Sequence, residues 1–377
     1  MSKQSKVRYD HLSFRLANWE EEATIIDFVN THFDLQLPLV NNRAFFNHYY
    51  CGKRLQFALA EQDGTLVAVA GYILANECET PDLWVSVWVA LKGAMGAGLE
   101  LMDAIPTLTG ARLVACNNIR ENTCPFYRFL GWTAERLPHY YRISKAASEG
   151  AYQLYQPAAD TLPSHTKAAT DDAPKPDAPN STASDCAIPR LAVAHDLALA
   201  RVTDAAHLTQ LGLPTGNQAQ TPAKSLAYLQ RRYFDYPYQQ YDVWSVQEGD
   251  KLLAYCVTRT VQSYAEGSSP DAPDAIPVLR VVDFIGAAEV LPRIGGALDA
   301  LMEAEGAEYT DCYCAGIAPE HFAAAGLYER TAQGSEIVPN YLTPVLNANT
   351  EYFYFTNLPD GFTMFKADGD QDRPNLH

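Results

Sequence analysis

The sequence predicts an α/β (α+β) protein built from two similar halves, and three observations lead there. Residues 83–132 pass from an apolar, β-branched and aromatic run into a glycine cluster, Gly93-x-x-Gly96-x-Gly98. They continue into a segment whose Leu99, Leu101, Met102 and Ile105 share a helical face. The same order of elements returns in the second half at a spacing of roughly 190 residues, which points to gene-scale duplication and not to a solenoid. A chain of 377 residues with 47% hydrophobic content exceeds one typical core and fits two domains of roughly 150 residues with a linker.

Taken in order, residues 20–33 carry Ile25, Ile26, Phe28, Val29 and Phe33 at helical spacing. Residues 45–50 form an aromatic cluster on a second helix. Residues 56–74 alternate as two strands about Asp63-Gly64, a strong hairpin turn. A buried strand over 83–90 precedes the glycine cluster and its helix. Residues 112–116 read as another buried strand, 117–132 as a short helix ending at Gly131, and His139-Tyr140-Tyr141 as a strand. The second half repeats this with a helix over 226–238, a hairpin over 242–260 turning at Glu248-Gly249-Asp250, and a strand over 279–286. A helix over 294–305, a strand over 308–314 and a short helix over 319–328 follow. Residues 352–355 and 362–365 supply closing strands.

Between the halves, residues 156–189 are rich in Pro, Ala, Ser, Thr and Asp and cannot bury enough apolar surface to fold. The expected division is 1–150 for the first domain, 151–189 for a flexible linker and 190–377 for the second domain. Residues 262–277 read as a shorter surface loop. The terminal Asp368-Gly-Asp370-Gln-Asp372-Arg373-Pro-Asn375 reads as a solvated tail, with cation or sugar-hydroxyl binding as the alternative; it lacks the loop length and final Glu of an EF-hand.

A net charge of −17 and a pI near 4.9 exclude a nucleic-acid binder, whose phosphate partner needs a basic footprint. The same field favours a cationic substrate such as a protonated amine. No apolar run approaches the ~20 residues that span a bilayer, and residues 1–14 lack a signal-peptide core, so a cytoplasmic protein without membrane insertion is expected. The eight cysteines include no CxxC pair and sit largely in apolar runs, as reduced core residues do. Cys312-x-Cys314 places two thiols on one strand face; no metal site is expected. The oligomeric state is left open.

A strand, a glycine loop and a helix together aim unpartnered N–H groups and the positive end of the helix dipole at an anion. Absent Cβ atoms at Gly93, Gly96 and Gly98 let a phosphate approach the main chain. The Lys-hydroxyl ending of an ATP-binding P-loop and the dinucleotide order G-x-G-x-x-G are both absent. A tight turn before a packed helix is the alternative. Further along, Tyr127-x-x-x-Gly131-Trp132 resembles the Tyr-x-x-x-Gly-Phe ending of the GNAT superfamily, the acyl-coenzyme A-dependent N-acetyltransferases. The glycine cluster resembles that family's pyrophosphate loop, with Gly93 where the family has Gln or Arg and Lys92 one place early. The order of elements matches over about fifty residues.

The resemblance implies tandem GNAT-like domains, each a mixed, mostly antiparallel twisted sheet flanked by helices, and acetyl-CoA or another acyl-CoA as cofactor. It implies coenzyme contacts from Val87, Val89, Lys92, Gly93, Ala94, Gly96, Ala97, Gly98 and Asn122. In that scheme a backbone N–H around Val87 to Val89 holds the thioester carbonyl oxygen and Tyr127 is the general acid. Its bland alternative is a half-buried helix tyrosine. For the base, His139 on an aromatic strand is the first candidate, since an imidazole takes a proton near neutral pH; a packed structural histidine is the alternative. His48, Tyr49, Tyr140 and Asp82 are candidates for the acceptor pocket. The second half has no recognisable phosphate loop in residues 287–296, and Phe322 stands where Tyr127 stands in the first, so it is expected to have lost coenzyme chemistry.

The motifs RRYFDYPY (231–238), RVVDFIG (280–286), VPNYLTP (338–344) and FKADGDQDRPN (365–375) resemble bacterial proteins linked with surface-polysaccharide sugar biosynthesis, over most of residues 226–375. That implies N-acetyl transfer to an amino sugar, free or nucleotide-linked, with Phe45, Tyr49, Tyr140, Tyr233, Tyr236 and Tyr341 stacking on sugar faces. The alternatives are a catalytically silent binding or assembly protein of such a pathway and an N-acyltransferase acting on a different small amine.

Overall fold

In the computed structural model, which describes residues 11–33, 37–158, 190–215, 220–264, 275–331, 334, 336–339 and 348–374, the first half opens with β1 (Leu12–Leu16), α1 (Glu22–His32), α2 (Pro38–Asn41) and α3 (Arg43–Tyr50). Asn42 caps α3, its side-chain oxygen accepting from the N–H groups of Ala44 and Phe45 at 3.0 and 3.2 Å. The hairpin forms β2 (Phe57–Gln62) and β3 (Thr65–Leu74). Asp63 and Gly64 take φ of 51° and 78°, the doubly left-handed turn that follows strand twist. Then come β4 (Asp82–Ala90), α4 (Met95–Thr109), β5 (Leu113–Ile119), α5 (Cys124–Phe129), β6 (Thr133–Leu137), β7 (His139–Ile143) and α6 (Lys145–Ser148). The helix expected over 117–132 is shorter: Asn117 to Ile119 prolong β5, and α5 starts at Cys124 with Pro125 in its first turn.

The second half contributes β8 (Leu199–Arg201), α7 (Ala205–Leu211), α8 (Leu226–Tyr233), β9 (Asp242–Glu248), β10 (Lys251–Ser263) and β11 (Ile276–Gly286). It continues with α9 (Gly295–Ala304), β12 (Tyr309–Ala315), α10 (Pro319–Ala324), β13 (Tyr328–Arg330), β14 (Tyr352–Thr356) and β15 (Met364–Phe365). β10 and β11 run into both ends of the stretch expected as a surface loop. Its centre, most of the expected linker (159–189) and Tyr341 lie outside the described residues.

The fold is a mixed α/β arrangement of two mostly antiparallel sheets flanked by helices. The first sheet has the order β1-β2-β3-β4-β5-β14-β6, and the second, read the same way, β8-β9-β10-β11-β12-β7-β13. Each holds one parallel pair, β4 with β5 and β11 with β12. Place for place the sheets correspond, except that each takes its sixth strand from the other half. Only Pro138 separates β6 from β7, fewer than the two residues a hairpin loop needs, so β7 runs on between β12 and β13. β14 fills the vacated place between β5 and β6. A division at residues 150 and 190 therefore does not separate the two sheets.

One apolar core takes side chains from both halves, among them Phe45, Tyr49, Trp84, Tyr228, Tyr233, Tyr313 and Tyr354. A second lies under α4 and α5 and a third under α9 and α10. The expected solvated tail is a buried strap. Asp368, Asp370 and Asp372 are all buried, and each pairs with a cation: Asp368 with Lys224 at 2.7 Å (shared with Asp283), Asp370 with Arg373 at 2.5 Å and Asp372 with Arg259 at 2.6 Å. Among the described residues no group of three or more His, Cys, Asp or Glu is placed to hold a metal, and no helix is long and apolar enough to cross a membrane.

Candidate active site

β4 and β5 pair only from Asp82–Leu113 to Trp84–Ala115 and then part. The cause lies on the other edge of β4. Ala70 of β3 faces Trp88 and Tyr72 faces Val85, so β4 carries one residue more than β3 over that interval. Such a bulge bends its strand and raises the local twist, which turns β4 away from β5 while β14 holds β5 in place. Beyond Trp84 the β5-facing edge of β4 has no strand partner among the described residues.

A cavity of about 390 Å³ fills the opening, within the range of small-molecule sites. Val85, Ser86, Val87 and Trp88 line it from β4, and Cys116 to Ile119 from β5. Tyr127 and Phe355 close one side, their rings stacked 4.0 Å apart. Asp370, Gln371 and Arg373 of the C-terminal strap close another. Ser86 is within 2.7 Å of the Tyr50 hydroxyl behind the wall. Asn118 sits in the strand with φ of 62°, a conformation rare outside glycine, and its side-chain amide donates to Gln371 Oε1 at 3.0 Å.

Burial raises the Tyr127 hydroxyl well above the usual tyrosine range, so it holds its proton at neutral pH. Burial likewise raises the Cys116 thiol, which removes it as a nucleophile. The wall thus offers a proton donor and free backbone donors but no activated cysteine.

The glycine loop stands next to this cavity and not inside its lining. Gly93 has φ of 92° and Lys92 is exposed; Ala94 is the N-cap of α4, and Gly96 and Ala97 lie in its first turn. Trp88 connects loop and cavity: its ring lines the cavity and its indole N–H donates to the Gly98 carbonyl at 3.2 Å. A Cβ on Gly98 would lie 2.9 Å from that of Ala90 and 3.2 Å from the Trp88 ring, so close packing already requires glycine there. Val87 lines the cavity, whereas Val89 is buried in the core and Asn122 is exposed on the turn before α5.

The other predicted residues are elsewhere. His139 is fully buried in the second sheet, with Nε2 3.0 Å from Asp311 and the ring stacked on Tyr313 at 3.8 Å; Arg330 donates to Nδ1 at 3.2 Å. Burial lowers its pKa. It is the packed structural histidine, carried away from the cavity by the strand exchange. Tyr140 stacks on Phe322 at 3.7 Å in the same sheet, the counterpart of Phe355 on Tyr127. Asp82 is buried against Arg112 at 2.7 Å and accepts the Ala223 N–H at 2.7 Å, a tie between the halves. His48 packs edge-on against Tyr49 and Tyr236, and burial pushes its pKa down to about 3. Tyr49 donates to the Tyr236 hydroxyl at 3.0 Å. Phe45, Tyr49 and Tyr236 pack on one another and Tyr233 on Tyr241, all in the core and away from the cavity, and offer no sugar platform there. Ser86 and Asn117 were not singled out from sequence, and Asp370 was read only within the terminal acidic segment; a polar residue inside or just past an apolar strand is the signal that could have marked the first two.

The second half has the same geometry, filled. β11 and β12 pair from Leu279–Thr310 to Val281–Cys312 and then part. β11 is also bulged, Val257 facing Asp283 and Thr258 facing Val281. Here β15 enters the gap, Phe365 pairing with Cys314 and Met364 with Ala315, while the Ala367 N–H donates to Val282 at 3.1 Å. At the helix that follows, the Gly296 N–H already donates to Ala194 at 2.8 Å, and a Cβ on Gly295 would lie 2.7 Å from the Ala325 carbonyl.

No family model and no curated protein matches the sequence. Among solved structures, the chain is similar to a GCN5-related N-acetyltransferase from Anabaena variabilis at 8% identity, over 92% of this chain and 72% of that one, with a TM-score of 0.46. It is similar to a GCN5-related N-acetyltransferase from Kribbella flavida at 14% identity, over 91% and 70%, with a TM-score of 0.41. The N-myristoyltransferase of Saccharomyces cerevisiae with bound myristoyl-CoA is similar at 9% identity, over 94% and 81%, with a TM-score of 0.38. At these scores the functional reading rests on the geometry of the site itself.

Proposed function

We propose that the protein is an acyl-CoA-dependent N-acyltransferase working in the opening between β4 and β5. One observation carries this reading: two parallel strands part at a bulge, leaving an unpartnered backbone edge beside a tyrosine that keeps its proton. A coenzyme A thioester, as acetyl-CoA or a longer acyl-CoA, would supply an activated acyl group. The residues fit such a group. The free N–H groups of β4 near Val87 are donors for a carbonyl oxygen. The first turn of α4, with Lys92 and Gly93 before it, is a donor set for a pyrophosphate. Tyr127, which lines the cavity, would protonate a leaving thiolate.

The same reading makes the first half the coenzyme-binding half, and gives residues 190–377 a structural role, since β15 fills their own opening. For the acceptor, the acidic chain favours an amine arriving as a cation. An amino sugar of a bacterial surface-glycan pathway, free or nucleotide-linked, is the narrower choice, supported by sequence resemblance alone. The test is isothermal calorimetry with acetyl-CoA, followed by thiol-release assays over a panel of amino sugars and other small amines. Absence of acetyl-CoA binding would remove the reading.

A further inference from the structure

The wall of the opening contains a buried acceptor with nothing to accept. Asn117 is 3% exposed and lines the cavity. Its amide nitrogen donates to two carbonyls of the strap, Phe365 at 2.9 Å and Lys366 at 3.2 Å. Two carbonyl partners fix which end of the amide is nitrogen, so Oδ1 is the end left over, and among the described residues it has no hydrogen-bond partner. A buried polar atom without a partner calls for a ligand or a water. Five residues along the strap from Phe365, Asp370 is the one carboxylate among the described residues lining the same cavity. Its Oδ2 takes the Arg373 guanidinium at 2.5 Å, which supplies the counter-charge that burial demands. Among the described residues its Oδ1 accepts only a long 3.2 Å contact from the Gln371 amide and retains acceptor capacity. The other charged or titratable groups on the wall that could compete are His32 and the exposed Arg120.

Resting on the N-acyltransferase reading, we propose that Asp370 takes the proton of the acceptor ammonium and that Asn117 Oδ1 holds a second N–H of the same group. One N–H bond breaks toward Asp370, and its proton passes on to water. The freed nitrogen pair forms the C–N bond to the acyl carbon as the C–S bond breaks. Tyr127 protonates the sulfur, and the second proton lost from nitrogen restores the Tyr127 hydroxyl. No oxidant or further reactant is needed.

The test uses the full chain, acetyl-CoA, and matched pairs of primary amine and alcohol (glucosamine with glucose, benzylamine with benzyl alcohol, ethanolamine with ethylene glycol). Thiol release, calorimetric affinity for acetyl-CoA and thermal melting are measured together. Wild type should release thiol with at least one amine and with no alcohol. Asp370→Asn should lower kcat by about a hundredfold with acetyl-CoA affinity kept, and Asp370→Glu should recover part of it. Asn117→Ala should raise the KM for the amine about tenfold with acetyl-CoA affinity kept. The proposal is overturned if no amine reacts, if alcohols react equally, or if the kcat loss follows His32→Gln instead of Asp370→Asn. It is equally overturned if Asn117→Ala weakens acetyl-CoA binding and leaves the amine KM alone, or changes neither. Failure of wild type to bind acetyl-CoA, to acylate any amine, or to prefer amines over alcohols marks failure of the underlying reading, whereas the variant results remove the present inference alone.

Discussion

Replacing Phe355 by alanine should loosen the sheet of the opposite half. Phe355 lies in β14, more than two hundred positions from the strands it joins, facing Cys116 on one side and Ala134 on the other. Its ring is fully buried, stacked on Tyr127 at 4.0 Å and 5.3 Å from Trp132. Truncating a buried phenylalanine costs about 3–5 kcal/mol from lost transfer energy and the cavity left behind. That is a large share of the ~5–15 kcal/mol that holds a typical protein folded. Tyr140→Ala is the mirror substitution, removing a ring stacked at 3.7 Å on Phe322. Urea titration gives the cost, and hydrogen exchange read by mass spectrometry gives its location. For Phe355→Ala, exchange should rise in residues 113–119 and 133–137; for Tyr140→Ala, in 309–315 and 328–330. Losses confined to the half that carries the substitution, or costs below ~1 kcal/mol, would refute the exchange of strands.

Gly96→Glu should leave thermal stability unchanged or higher, since glutamate propagates a helix better than glycine and an acid suits the first turn. A like charge about 5 Å from a bound pyrophosphate, at an effective dielectric near 20, costs ~3 kcal/mol, so acetyl-CoA affinity should fall about a hundredfold by calorimetry. Tyr127→Phe should lower kcat by about a hundredfold with acetyl-CoA affinity unchanged; equal turnover would end its acid role. His48 and His139 both have pKa values lowered by burial, His48 to about 3. Below the unfolded-state value of about 6.5, the unfolded chain binds protons that the folded chain refuses, so stability should fall as pH drops from 6.5. His48→Gln should flatten that slope in urea titrations between pH 6.5 and 4.

The strands and helices were legible because they are local: alternation marks β2 and β3, Asp63-Gly64 marks their turn, and the face of Leu101, Met102 and Ile105 marks α4, all three side chains fully buried. The position of the cavity was legible at Val87 and Tyr127 for the same reason. What escaped depends on pairing across more than two hundred residues. His139 follows the Gly-Trp ending as a site residue would, yet the lone Pro138 sends its strand to the other sheet. The strap was invisible because Asp368, Asp370 and Asp372 look like solvent-facing acids; Arg373 stands three residues from Asp370, but Lys224 and Arg259 come from more than a hundred residues away. The aromatic residues offered for sugar stacking are abundant for a different purpose, the shared core between the halves.

The filled opening of the second half explains the first. Both sheets bulge beside their parallel pair, so both must either bind something in the resulting gap or fill it. The second half fills it with Met364 and Phe365, buried and hydrogen-bonded to β12. Asp368 secures the next turn by accepting the Phe365 N–H at 2.8 Å and pairing with Lys224. From that anchor the strap reaches the first sheet, where Asn117 grips it from β5 and Gln371 meets Asn118. Asp370 therefore stands in the open cavity because β15 is fixed in the closed one. A side chain held at both ends by buried contacts loses little further freedom on meeting a substrate. In that sense the half without an opening of its own serves the half that keeps one, as the fixed end of its wall.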